Sequence, residues 1–355
     1  MGPHGSNAPI PNPSNDQSTR PHFSTRYPSV IYDFHTHFYT SAYLDEIERG
    51  GYQAALVRDA DGHRLLKLDG DYSMIAPGHF DADRVIEHMD RHGVDRQLLS
   101  FSIPGLHVEE PDAGRRLARI VNEALAETVA RHPGRLSALA VLPLQDPAAS
   151  AAELIRAAES LDLRGGMLFS NINGRTLGAP EFHELYAAAS SLDLPLFVHP
   201  TTPHAHDVYA AYRLTPMAGF PFDTSVAALH LVFSGTMAAF PDLKVVLGNL
   251  GGTIPFLAGR IDQAYRSYPE AREQLDRLPS AYLKSMYYES AGMPDSGALR
   301  LAIDFAGIDR VMFGSDFPQQ IADVDLGLRV IDELGLDEAA RQRIVGRNAA
   351  GLLKE

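Results

Sequence analysis

Histidine acts as a metal ligand or an acid–base group where it meets others of its kind, and three positions in this 355-residue sequence invite that reading. His35 and His37 stand in Asp33-Phe34-His35-Thr36-His37, His199 in Phe197-Val198-His199-Pro200, and Asp316 in Phe313-Gly314-Ser315-Asp316-Phe317-Pro318. In an extended strand residues i and i+2 share a face, so His35 and His37 can point the same way. Three imidazoles and one carboxylate make an N₃O donor set, which suits Zn²⁺, with Mn²⁺, Fe²⁺ or Co²⁺ as alternatives. The chain has 15 histidines, so a His-x-His pair also arises by chance. What counts against chance is that all four groups lie at the ends of short apolar runs.

Those runs define the scaffold. Strand character appears at 30–35, 94–102, 136–142, 165–170, 194–199, 243–249, 285–290 and 310–315, mostly apolar and β-branched or aromatic, as in strands buried on both faces. Helical patterns lie between them at 81–92, 113–131, 148–161, 181–192, 224–240 and 296–306, with two more near 324–335 and 337–346. Asp146-Pro147 and Ala179-Pro180 supply helix starts, with proline near the first helical position. Eight strands alternating with helices predict an α/β protein with a (β/α)₈ TIM barrel, in which strand C-termini line the active-site mouth. No Gly-x-Gly-x-x-Gly follows the first strand, which removes the main reason to expect a dinucleotide fold. The stretch from about 40 to 80 is too long for an ordinary connection after strand one and is read as an inserted cap over that mouth.

Composition narrows the partners. A formal charge of −14 disfavours nucleic acid, because phosphate binding needs a basic face. The absence of any apolar run of about 18 residues argues against a membrane span. With no cysteine there is neither a disulfide framework nor a thiolate metal site, which fits a cytoplasmic protein. Residues 1–28, rich in Pro, Ser, Asn and Gly, read as a disordered tail ahead of one domain spanning 29–355.

The motifs around these residues resemble the amidohydrolase superfamily, and within it the aminocarboxymuconate-semialdehyde decarboxylase-like branch, from about Ile31 to Leu353. Besides the three motifs above, the resemblance rests on Leu247-Gly248-Asn249-Leu250-Gly251-Gly252 and Gly259-Arg260-Ile261-Asp262. It implies that His35, His37, His199 and Asp316 hold one divalent ion, usually zinc. Binuclear relatives use a carbamylated lysine near the end of strand four; here that stretch is Met167-Leu168-Phe169-Ser170, so one ion is expected. It also implies a homodimer in which Arg260 reaches the neighbouring site and grips a substrate carboxylate, chemistry suited to a guanidinium. A salt bridge to Asp262 is the competing use of that arginine.

The sequence departs from the branch at the end of strand six. A histidine is usual there, and Asn249 stands in its place, with Gly252 where the dihydroxybenzoate decarboxylases carry a glutamate. Asparagine cannot shuttle a proton near neutral pH. A positioned acid–base group is worth about 10²–10⁴ in rate, roughly 3–5 kcal/mol. His204 and His206, after strand five, are candidates to supply proton transfer beside Asp316 and Asn249. His107, after strand two, and Glu289, near the end of strand seven, are candidates for substrate binding with Arg260. The first expectation is non-oxidative decarboxylation of an aromatic or unsaturated carboxylic acid, with Asp316 protonating the carbon. The alternatives are hydrolysis of an amide, lactone or C–C bond, with Asn249 as an oxyanion donor, and a metal-binding scaffold without catalysis.

Overall fold

The computed structural model describes residues 30–68, 71–204 and 206–355, and the side chains of all of these except Asp71 and His206. The expected tail at 1–28 lies outside the described residues. Eight parallel strands organise the chain: β1 (Tyr32–His37), β2 (Arg96–Ser100), β3 (Leu136–Ala138), β4 (Gly166–Phe169), β5 (Pro195–His199), β6 (Lys244–Leu247), β7 (Tyr287–Glu289) and β8 (Val311–Met312). They form a three-stranded sheet, β1-β2-β3, and a five-stranded sheet, β8-β7-β6-β5-β4. The sheets meet at both edges. Ala140, just past β3, bridges to Gly166 of β4, and Phe317, past β8, bridges to Thr36 of β1. Phe34 N–H also donates to the Phe313 carbonyl at 3.0 Å.

Helices 82–92, 111–131, 147–161, 183–192, 220–233, 254–267, 296–306 and 324–333 follow the strands. Their leucines, valines and alanines pack on strands that are buried almost throughout, so apolar runs rather than alternation mark the strands. Aspartates start several of these helices: Asp81, Asp146, Asp295 and Asp323 each accept a backbone N–H from the first turn. The pattern at 224–240 resolves into two helices, 220–233 and 236–239, because Gly235 takes a left-handed conformation (φ +81°) between them. Among the described residues no helix is long and apolar enough to cross a membrane.

The segment between β1 and the helix at 82–92 has its own order: a helix at Ser41–Arg49, then antiparallel strands Ala55–Arg58, Arg64–Leu68 and Asp71–Ile75, then a tight turn at Pro77–His79. The Asp59 carboxylate takes the Asp61 and His63 N–H groups and so folds the first hairpin turn.

Candidate active site

The C-terminal ends of β1, β5 and the chain beyond β8 converge. Pairing between β1 and β2 slips by one residue between Asp33 and Thr36, a bulge that carries an extra residue at Phe34–His35. His35 Nε2 and His37 Nε2 lie 3.0 Å apart. Asp316 Oδ1 is 2.9 Å from His37 Nε2 and 3.5 Å from His35 Nε2. One ring nitrogen from each of His35, His37 and His199 falls within 4.8 Å of the others, and all three side chains are buried. The rings meet edge to face, His37 and His199 at 4.8 Å between centroids.

Each group is held from behind. His199 Nδ1 donates to the Pro200 carbonyl at 2.6 Å, which keeps the proton away from Nε2. Glu289 Oε1 lies 2.8 Å from His35 Nδ1, an ion-pair distance rather than an in-line hydrogen bond. Asp316, itself in a left-handed conformation (φ +68°), donates its N–H to the His35 carbonyl at 2.9 Å. Asp33 fixes the same loop by accepting from Ser315 N and Ser315 Oγ.

Burial drives the His37 and His199 pKa values well down, and neighbouring histidines add to it. Burial raises that of Asp316, against the pull of His35 and His199. His35 also feels desolvation, but Glu289, Asp316 and Asp33 together outweigh it and lift its pKa to about 9. Such a cluster suits a cation. At most one proton fits between two Nε2 atoms 3.0 Å apart, and tetrahedral bonds of about 2.0–2.1 Å would set them at about 3.3 Å. The residues therefore fit one divalent ion.

A cavity of about 510 Å³ is lined by Thr201, two residues past His199, though by none of His35, His37, His199 or Asp316 themselves. Its walls come from the inserted sheet (Leu66, Tyr72) and from the loops after β2 (Ile103, His107), β4 (Asn171) and β5 (Thr201). Phe169 spans the two, its ring 4.8 Å from His107 and 6.0 Å from His199. His107 is buried with Nδ1 unpartnered, and desolvation, with Arg175 nearby, lowers its pKa to about 3. His204 lines the same cavity from an exposed position. The side chain of His206 lies outside the described positions.

The structure bears on three of the sequence readings. Glu289, expected to bind substrate, is fully buried, and its oxygens serve Asn249 N (2.7 Å), Ala291 N (2.7 Å) and His35. A substrate would have to displace these donors, so the carboxylate positions the site instead. Asn249, expected as an amide donor, gives Nδ2–H to the Ala291 carbonyl at 2.8 Å. The atom left without a partner is Oδ1, an acceptor. The competing use of Arg260, a bridge to Asp262, is absent, because Asp262 accepts from Ser280 N and Oγ, while Arg260 is exposed on helix 254–267. The structure also accounts for Gly252. Its φ is +61°, and a Cβ there would lie 1.9 Å from the Pro221 carbonyl oxygen, so no glutamate fits.

Sequence reasoning assigned no role to Asp33 or His79. Asp33 lay inside the quoted motif, but its partner Ser315 is visible only in the fold.

A protein-family model described as amidohydrolase matches residues 32–354. The chain is 27% identical over 331 residues to a 2-amino-3-carboxymuconate-6-semialdehyde decarboxylase of Dictyostelium discoideum, covering 92% of each. It is similar to the crystal structure of 5-carboxyvanillate decarboxylase from Sphingomonas paucimobilis, with a TM-score of 0.81 and 26% identity over 92% of this chain and 99% of that one. A dihydroxybenzoic acid decarboxylase from Polaromonas, solved with bound manganese and the inhibitor 2-nitroresorcinol, matches with a TM-score of 0.77 and 26% identity, over 92% of this chain and 97% of that one. The chain belongs to the amidohydrolase superfamily, in its aminocarboxymuconate-semialdehyde decarboxylase-like branch.

Proposed function

We propose that this protein is a metal-dependent, non-oxidative decarboxylase of an aromatic or unsaturated carboxylic acid. The observation that carries this reading is the convergence of His35, His37, His199 and Asp316 beside a cavity of about 510 Å³, in a chain whose relatives are decarboxylases. That volume accommodates a single-ring acid, and the lining sets apolar walls such as Leu66 and Ile103 among many polar groups, including His107, Asn171 and Arg213. We read the fold as a (β/α)₈ barrel of residues 29–355, with the inserted sheet as a cap over the mouth, and we assign the protein to the cytoplasm.

The four groups would hold one divalent ion. Zinc is favoured by the N₃O donors, and manganese is supported by the Polaromonas relative. When bound, the ion supplies a positive charge against the substrate carboxylate and a neighbouring oxygen. Asp316, freed from or shared with the metal, acts as the proton donor. The bond between the substrate carbon and its carboxylate breaks, CO₂ leaves, and the electron pair left on carbon takes the Asp316 proton. His204 and His206 are proposed to return a proton from solvent, and His107 to contact the substrate. Asn249 Oδ1 is an acceptor suited to a substrate hydroxyl, which favours hydroxy acids. We further propose a homodimer in which Arg260 binds a carboxylate in the partner's site; its exposure and the lack of an ion-pair partner among the described residues support this.

The test is to incubate zinc- or manganese-loaded protein with 2,6-dihydroxybenzoate, 5-carboxyvanillate and a matched set of esters and amides. Release of CO₂ from an acid is the expected result. Acid production from an ester or amide without CO₂ would replace decarboxylation with hydrolysis.

A further inference from the structure

The unpartnered atom of Asn249 among the described residues is an acceptor, and a donor to a substrate oxygen is a separate requirement. Among the described residues, four buried or half-buried histidines outside the metal cluster leave a ring nitrogen unpartnered: His79, His88, His107 and His183. His88 stacks on Phe317 at 3.7 Å and also meets His92, feeling His92, Arg91 and Asp325 rather than Asp316, and His183 packs on Tyr186 and Phe240. His107 belongs to the cavity already described. Only His79 answers to the metal-binding groups themselves.

His79 ends the Pro77–His79 turn and is almost wholly buried. Its carbonyl accepts from Tyr39 N–H, two residues beyond His37, and its ring stacks on Tyr39 at 5.8 Å. The preceding residue, Gly78, is pressed against Phe317, next to Asp316; a Cβ on it would lie 2.6 Å from the Phe317 ring. His79 is thus wedged between the two chain segments that leave His37 and Asp316. The charges its ring feels include Asp316, and His37 in turn feels His79.

The tautomer is fixed by chemistry. His79 Nδ1 lies 3.1 Å from Ala76 N–H, which can only donate, so Nδ1 is the acceptor and the ring proton sits on Nε2. Burial holds the ring neutral, with its pKa lowered to about 4. Nε2–H is therefore a donor, desolvated and without a partner among the described residues, a costly arrangement in a finished core. We propose that His79 is a substrate-contacting residue whose Nε2–H donates to an oxygen of the bound hydroxy acid. The proposal rests on the decarboxylase reading for its ligand class.

The experiment uses the manganese-loaded full chain and 2,6-dihydroxybenzoate as probe. His79→Phe keeps the stack on Tyr39 and removes the donor. It should weaken probe binding about tenfold, the value of one hydrogen bond, and lower CO₂ release by about 10²–10³-fold, with manganese content unchanged. His79→Gln, which restores an N–H donor, should recover at least tenfold of the lost rate, a rescue that a purely structural role would not give. In the wild type labelled with ¹⁵N-histidine, the His79 Nε2–H proton should move downfield when the probe binds, a readout that needs no variant to fold. An unmoved resonance, a wild type that does not bind the probe, or a metal-loaded His79→Phe with wild-type probe affinity each overturns the proposal. A wild type that binds the probe and shifts the resonance but releases no CO₂ sinks the decarboxylase reading and leaves His79 as the oxygen-contacting residue.

Discussion

Replacing Glu289 with glutamine changes one atom and forces a choice the buried site cannot satisfy. The carboxylate faces two donors at Oε1, Asn249 N at 2.7 Å and His35 Nδ1 at 2.8 Å, and a third at Oε2, Ala291 N at 2.7 Å. A glutamine that keeps its oxygen on the first pair turns its NH₂ against the Ala291 N–H. Leaving one buried donor unsatisfied costs about 1–3 kcal/mol, and losing the charge opposite His35 adds about 1.5–3 kcal/mol. The sum agrees with the roughly 3–5 kcal/mol seen when one partner of a buried pair is removed. In a chain of this size that is a fall of about 4–7 °C in the melting temperature of metal-free protein. Metal affinity should fall by about 10–100-fold, because the carboxylate orients His35 and raises its basicity. The same carboxylate helps lift the His35 pKa to about 9, so below that pH a proton competes with the metal and masks part of the loss. The titration against a competing chelator is therefore run near pH 9.5. The sign for metal-free wild type follows: stability from His35 is complete below about 6.5 and lost as pH rises through about 9, and the variant loses less. Asp262→Asn is the control, since Asp262 only caps Ser280 and should leave metal affinity unchanged. Wild-type metal affinity at pH 9.5 in Glu289→Gln would refute the positioning argument.

Protein purified without added metal should carry close to one equivalent of a divalent ion by elemental analysis; His199→Ala should lose most of it, and full activity in metal-free protein would contradict the assignment. Asn249→His should not raise the rate, because a ring at that position removes the Oδ1 acceptor; a gain of tenfold or more, with a pH–rate inflection near 6.5, would mean a decayed relay rather than a rebuilt site. Mixing Arg260→Ala with Asp316→Ala chains should restore activity in the hybrid dimer; confirmed hybrids without activity would confine Arg260 to its own subunit. Burial lowers the His107 pKa to about 3, so the unfolded chain binds its proton first and stability falls as pH drops below about 6.5. Chemical denaturation should show about 2 kcal/mol lost between pH 7 and pH 5 from this residue, absent in His107→Phe.

Much of this was visible before folding. Strands buried on both faces leave dense apolar runs; the first reappears shifted to 32–37 and the next six with trimmed ends, since hydrogen bonding stops before apolarity does. The last is reduced to Val311–Met312, although Phe313 and Phe317 still bond to β1. The ligands were legible because His35, His37 and His199 end those runs. The helix at 254–267 went unrecognised: it follows a glycine-rich turn and exposes Phe256, which blurs its apolar stripe. The partners of Glu289, Asn249 and His79 were illegible for a different reason. Each depends on contacts between distant segments, and nothing in Ala76-Pro77-Gly78-His79 distinguishes a loop histidine from one wedged beside Asp316.

The groups that converge on one point are also far apart in the order of synthesis. His37 and Asp316 are separated by 279 residues, and Asp33 and Ser315 by 282. At about 5–20 residues per second, a ribosome holds His35 and His37 in a growing chain for roughly 14–56 s before Asp316 exists. Two histidines on an unfinished strand are a poor chelate, and the full set forms only when the chain past β8 bonds to β1. Loading with metal is thus an event of the finished chain. The ion acquired is then decided largely by what is abundant in the compartment at that moment, since donor type alone discriminates weakly among divalent metals. Expression in zinc-rich and manganese-rich media should yield differently loaded protein from one sequence.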